Sequence, residues 1–235
     1  MIQDSRKRGH QPTALIRQLA DYCARSHTGF TLVELMVTTS IFIVITLVVL
    51  ANYPRANGAI ALRLLANDVA LSVRKAQVYG VSIKSTGTIF PDYGMYFKQG
   101  TPTDYLLFAD LDLNGVYNTA STCGGGSGSA AGECLEDYSI RGVNVIRKLC
   151  GIASGSGITL TPETCYKGGD NITLTELTTI FHRPNPEALM SGKRNDTDSV
   201  ASLSVAGVLV GAKGETDFAR MKMVQIWNTG QITIQ

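Results

Sequence analysis

The stretch Leu35 to Ala51, LMVTTSIFIVITLVVLA, contains no charge and no proline, and it limits this chain more than any other feature. Extended to Phe30 and Tyr53, it reaches the ~20 residues that a helix needs to cross a bilayer. The alternative, a helix buried inside a soluble domain, fits the length and flanks poorly. Residues 1–29 carry Arg6, Lys7, Arg8, Arg17 and Arg25 against Asp4 and Asp21, a balance of +3 within a chain of net charge +2. The positive-inside rule therefore holds residues 1–29 in the cytoplasm and exports the rest. A cleaved secretory signal fits badly, because the run is long and no small-residue cleavage site follows Ala51. The exported part is close to neutral and has no electrostatic footprint for nucleic acid. With 17% charged residues and 24 Gly, the chain is not a charged disordered one.

Glu34 is the anomaly. A carboxylate at the centre of a membrane helix costs up to ~3 kcal/mol, and less near an end. The free N–H groups of a helix N-terminus soften that cost. No Lys or Arg stands between Thr28 and Ala51 to pair with it. Cleavage after Gly29 would create a cationic α-amine on Phe30, and that amine in one subunit could neutralise Glu34 in the next.

Gly29-Phe30-Thr31-Leu32-Val33-Glu34, followed by the apolar run, resembles the processing signature of type IV prepilins and type II secretion pseudopilins. The resemblance implies cleavage between Gly29 and Phe30 by a membrane prepilin peptidase, which also N-methylates Phe30. It implies that Glu34 supports methylation and pairs with a neighbouring N-terminus during assembly. Its implied partners are the peptidase/methyltransferase, other pilin or pseudopilin subunits, an inner-membrane assembly platform and membrane lipid. The implied location is the cytoplasmic membrane, and after assembly a filament in the periplasm or on the cell surface.

Past the membrane segment, Pro54 and Gly58 are expected to kink or interrupt a helix. Apolar residues then return at helical spacing as Leu62, Leu65, Val69, Ser72, Ala76, Tyr79 and Ile83, a stripe that predicts packing against a sheet. Were Phe30 to Lys84 mostly helical, they would span roughly 80 Å at ~1.5 Å per residue. Short β-prone runs follow: Thr88–Phe90, Gly94–Lys98, Tyr105–Ala109, Tyr138–Leu149, Ile172–Phe181, Ser199–Val210, Met221–Trp227 and Gln231–Ile234. The last two flank Asn228-Thr229-Gly230, a hairpin connection with Gly placed for positive φ. Residues 124–132 read as a flexible Gly/Ser/Ala loop.

The fold class is therefore α+β, a long N-terminal helix packed on an antiparallel sheet, as the pilin resemblance also implies. Its parts are a leader (1–29), a membrane helix (30–53), an amphipathic continuation (54–84) and one β-rich extracytoplasmic domain (85–235). The latter half also resembles minor pseudopilins of the H type and their pilus counterparts. The likeness lies in Tyr93-Gly94-Met95-Tyr96-Phe97, Phe108-Ala109-Asp110-Leu111-Asp112, Ile180-Phe181-His182-Arg183-Pro184 and Trp227-Asn228-Thr229-Gly230-Gln231-Ile232.

Cys23 belongs to the leader, whereas Cys123, Cys134, Cys150 and Cys165 would all be exported. Four cysteines in an oxidising compartment predict two disulfides. Of three pairings, Cys123–Cys134 with Cys150–Cys165 is favoured, since each closes a short loop. Zinc is the rival, but no CxxC or His pair is present. Asp110-Leu111-Asp112-Leu113-Asn114-Gly115 resembles the opening of a calcium loop, with Asp110, Asp112 and Asn114 as oxygen ligands. Thr122 stands where the bidentate Glu belongs, so Glu133, Glu136 or Asp137 would have to fold back; an Asp-rich turn is the alternative. His182, the only histidine after the leader, has no nucleophile motif to serve and should end a strand or face solvent. Without a phosphate-binding loop or dinucleotide fingerprint, the reading is a structural subunit and not an enzyme. The competing reading is a binding module on the same anchor, which captures a surface, a secreted protein or DNA. Arg183, Lys193 and Arg194 would be its basic patch.

Overall fold

The computed structural model describes residues 29–82, 90–118, 123, 132–156, 158–169, 172–195 and 198–235. The leader up to residue 28 with Cys23, the helix end at Ile83 and Lys84, the strand start at Thr88, Thr122 and the Gly-rich stretch 124–131 lie outside the described residues. The fold is α+β, and the chain divides into two compact units, Met1–Tyr53 and Pro54–Gln235.

A single helix, α1 (Leu32–Val81), supplies the described part of the first unit and opens the second. The helix runs on through Pro54 and Gly58, so neither interrupts it. Proline removes one helical donor, and the turns on either side retain theirs. The first unit is open on every side: Phe30, Phe42, Leu47 and Leu50 are 77, 72, 61 and 62% exposed. Its hydroxyls are nevertheless satisfied within the helix. Thr39 Oγ1 donates to the Leu35 carbonyl at 2.9 Å, Ser40 Oγ to Val37 at 2.9 Å and Thr46 Oγ1 to Phe42 at 2.8 Å. Such back-bonding lets Thr and Ser sit in an apolar run without a polar group left for the surroundings to solvate.

In the second unit α1 buries one face. Leu62, Ala66, Val69, Ser72, Val73 and Ala76 are 0–8% exposed, with Leu65 and Tyr79 half-buried at the margins. That is the expected stripe, widened by the small residues Ala66 and Val73. At Gly80 the helix backbone approaches so closely that a Cβ would lie 2.5 Å from the Phe181 carbonyl.

The strands are β1 (Asp92–Lys98), β2 (Asp104–Asp110), β3 (Cys134–Ser139), β4 (Asn144–Ala153), β5 (Thr173–Leu174) and β6 (Glu176–Phe181). They continue with β7 (Ala188–Lys193), β8 (Ser199–Val200), β9 (Leu203–Ala212), β10 (Lys222–Trp227) and β11 (Ile232–Ile234). They form two antiparallel sheets where the sequence predicted one, with orders β3-β2-β1-β6-β7-β8 and β11-β10-β9-β4-β5. One core joins the buried face of α1 to both: Met95, Phe97, Leu107, Leu177 and Phe181 from the first, Leu149, Val208, Val210 and Ile226 from the second. β9 is buried on both faces, with Ala206, Val208 and Val210 in that core and Val205 and Leu209 in a second one. This is why it reads as a continuous apolar run with no alternation.

Three expected strands were too long. The expected run Tyr138–Leu149 is cut at Gly142 (φ +101°), Ile172–Phe181 at Thr175, and Ser199–Val210 at Ser202 (φ +63°). Each cut falls where the chain leaves one sheet for the other. Three elements were missed: β7, α2 (Pro162–Lys167) and a single 3-10 turn, Phe218–Arg220. The short α2 begins with a capping box, Thr161 Oγ1 accepting from Thr164 N–H at 3.1 Å and Thr164 Oγ1 from Thr161 N–H at 2.8 Å, with Pro162 following the cap. The β10–β11 hairpin turns at Gly230 (φ +81°) as expected.

Candidate functional site

Two places bring predicted site residues together. At the start of α1, Thr31 Oγ1 accepts the N–H of Glu34 at 3.2 Å and satisfies one of the donors that a helix beginning leaves free. Thr31 and Glu34 have the Thr-x-x-Glu spacing of a capping box, a local role for Thr31 that reading for the cleavage motif had passed over. Glu34 thus lies in the first helical turn, where backbone N–H groups favour a negative charge. Gly29 and Phe30 precede the helix and are exposed.

The second place is the loop after β2. Asp110, at the end of that strand, is 1% exposed and accepts from the backbone of Asn114 (3.1 Å) and Gly115 (2.8 Å). Asp112 is exposed and accepts from Asn114 Nδ2 (2.8 Å) and Asn118 Nδ2 (2.9 Å). Glu133, immediately before β3, accepts the Asn118 N–H at 2.7 Å and is 5% exposed. Oxygens of Asp110, Asp112 and Glu133 all come within 4.8 Å of one another. Burial, with Asp112 nearby, pushes the Asp110 carboxyl above the usual carboxylate range, although the two backbone donors oppose it. Burial also raises Glu133, with the charges of Asp112 and Asp110 adding to it, while Asp112 is lowered, chiefly by Asn118.

Three converging carboxylates are hard oxygen donors of the kind that suit calcium. Asn114, read as a ligand, instead turns its amide toward Asp112 and holds the loop, while Glu133 is the acid that joins the two aspartates. Of the other acids considered, Glu136 is taken by Lys75 of α1 at 2.6 Å.

Both disulfides follow the sequential pairing, Cys123–Cys134 and Cys150–Cys165, with Cα separations of 4.7 and 5.7 Å. The first joins the residue beside Glu133 to the loop that follows the acidic cluster. The second fastens α2 onto β4, in the core on the outer side of the second sheet. The three residues of the basic patch all have protein partners. Arg183 donates to the Phe90 carbonyl at 2.8 Å, Lys193 meets Glu176 at 2.9 Å and Arg194 meets Asp198 at 3.3 Å. His182 follows β6, largely exposed, with Nδ1 2.5 Å from the Asp92 carboxylate.

α1 is long and apolar enough to cross a membrane, which fits a single-pass protein. No family model, curated protein or solved structure matches this chain.

Proposed function

We propose that this chain is a minor pilin or pseudopilin: a structural subunit held in the cytoplasmic membrane, cut between Gly29 and Phe30, and built into a type IV pilus or type II secretion pseudopilus. The observation that carries the reading is the order of parts along α1. The hexapeptide Gly29 to Glu34 leads into an apolar helix, and the same helix then buries one face in a disulfide-bonded α+β body. Three of the four motifs read as resembling H-type minor pseudopilins also stand side by side in one sheet, on β1, β2 and β6.

A second feature supports assembly. On the side of α1 opposite its buried face, Ile60, Leu64, Leu71 and Val78 form an exposed stripe, 57–64% open. An apolar stripe on a helix whose other face is already buried calls for a further partner. Helices of neighbouring subunits provide one. In this mechanism apolar packing replaces lipid contact for residues 30–53, and the amine of Phe30 in one subunit neutralises Glu34 in the next. Glu34→Ala should then cut the amount of subunit in sheared filament fractions at least tenfold and leave the thermal unfolding of the body unchanged. Normal incorporation of that variant would refute the mechanism.

We also propose calcium as the ion for Asp110, Asp112 and Glu133, on the ground that Glu133 folds back to the two aspartates. Calcium would relieve the repulsion among three carboxylates and tie the loop after β2 to the start of β3. Millimolar calcium should raise the unfolding temperature, and Asp112→Asn should abolish that rise. A titration with no heat and no thermal shift would remove the ion from the account.

A further inference from the structure

The outer face of the six-stranded sheet carries a trough that neither the helix nor the acidic loop uses. The register of β1, β6 and β7 lines up Tyr96, Thr178 and Ser191 in one row and Lys98, Glu176 and Lys193 in the next. Val116 and Tyr117 from the loop after β2 wall one side, and Ser199 and Val200 of β8 the other, around a cavity of about 190 Å³. Its polar groups are left with capacity to spare. Among the described residues, Thr178, Ser191 and Ser199 form no hydrogen bond through their hydroxyls, and the Tyr96 hydroxyl sits buried near Glu176 without one of ordinary geometry. Burial, with the charge of Glu176 adding to it, holds the Tyr96 phenol well above its usual range, so it remains a neutral donor. Burial also pushes the Glu176 carboxyl up, but Lys193 and the nearby Tyr96 and Lys98 outweigh that and hold it below its usual range.

We propose that this trough binds a small polyhydroxylated molecule the size of one monosaccharide. A cavity of about 190 Å³, open to solvent on one side, has room for one sugar ring. Hydroxyls both donate and accept, and those of Thr178, Ser191 and Ser199 around one space are best matched by a ligand that does the same. Glu176 adds an acceptor and Lys193 a donor, while Tyr117, Val116 and Val200 supply an apolar wall for the C–H face of a ring. A phosphate or carboxylate suits the space less well, since the lysine on its floor is already paired with Glu176 at 2.9 Å. This site stands independently of the filament reading.

The test is isothermal titration of the full chain in lipid nanodiscs, free of glycoside detergent, with D-glucose, D-galactose, D-mannose and N-acetylglucosamine up to ~50 mM. Saturable binding of at least one sugar is expected. Thr178→Val and Ser191→Ala should each weaken it about tenfold, the effect of one lost hydrogen bond. Val200→Trp, which fills the trough, should abolish binding at an unchanged unfolding temperature. No saturable binding by any of the four sugars would overturn the proposal, and so would binding that survives Val200→Trp.

Discussion

The two halves of α1 differ in apolar content and have opposite surroundings. Between Phe30 and Leu50 the large side chains are 51–77% exposed around the whole circumference. Between Leu62 and Ala76 one face falls to 0–8%, against two sheets. Hydropathy and period both separate them: Leu35 to Ala51 carries no charge, whereas the second half repeats its apolar residues at helical spacing among charged ones. The second half has a charged or polar residue at every turn, among them Arg63, Asp68, Arg74 and Lys75, which fixes the face that turns to the core. The first half has no charge after Glu34, and its Thr and Ser hydroxyls bond back to the helix, so its apolar surface needs an environment that is apolar all round, lipid or other helices.

A charge placed in each half should separate them most sharply. Val73→Asp buries an unpaired carboxylate in the core and should cost the body more than about 3 kcal/mol, or unfold it. Val44→Asp should leave the body's unfolding temperature unchanged and reduce membrane retention. Equal effects on thermal unfolding would erase the distinction.

A smaller contrast compares two glycines of the same helix. A Cβ at Gly80 would meet the Phe181 backbone, whereas at Gly58 it would meet nothing within 4 Å. Gly80→Ala should therefore destabilise by about 1–3 kcal/mol. Gly58→Ala should stabilise by about 0.5–1 kcal/mol through helix propensity. Thermal unfolding in one membrane mimetic reads both.

The smallest effect concerns the ion pair that ties α1 to β3. Its bond to Glu136 raises the Lys75 ammonium above the usual lysine range, and the Tyr138 phenol is pushed up to about 12 by burial and by Glu136. Both groups hold protons in the folded state that the unfolded chain releases from about pH 10 upward, so stability falls as pH rises through that window. Glu136→Gln should flatten this alkaline fall and change stability at neutral pH by less than about 1 kcal/mol. An unchanged alkaline limb would show that the pair is not coupled to folding.

The membrane-length helix, the buried stripe, the Gly230 hairpin and the order of most strands were legible in the sequence, because each has a local periodic or turn signature. The second sheet was not. At Gly142, Thr175 and Ser202 the chain crosses between sheets within a few residues, and the β-prone texture on either side does not change there. β7 escaped because Ser191 and Gly192 interrupt its apolar residues; Gly192 is small where Leu174 packs against its backbone. The capping box at Thr161-Pro162-Glu163-Thr164 is a local signature, but the helix it opens is only six residues long and shows no apolar period. At the acidic loop, Asp110 and Asp112 were visible as neighbours, while Glu133 joins them only through the long-range pairing of β2 with β3.

The central claim is that Phe30 becomes the first residue of the working subunit. Intact-mass and N-terminal fragment spectra of the chain, expressed in cells with an active prepilin peptidase, test it directly. A mature chain that begins at N-methylated Phe30 and has lost residues 1–29 is expected. A chain still carrying residues 1–29, beside a control substrate that is fully cut, would contradict it and leave Glu34 without its partner amine.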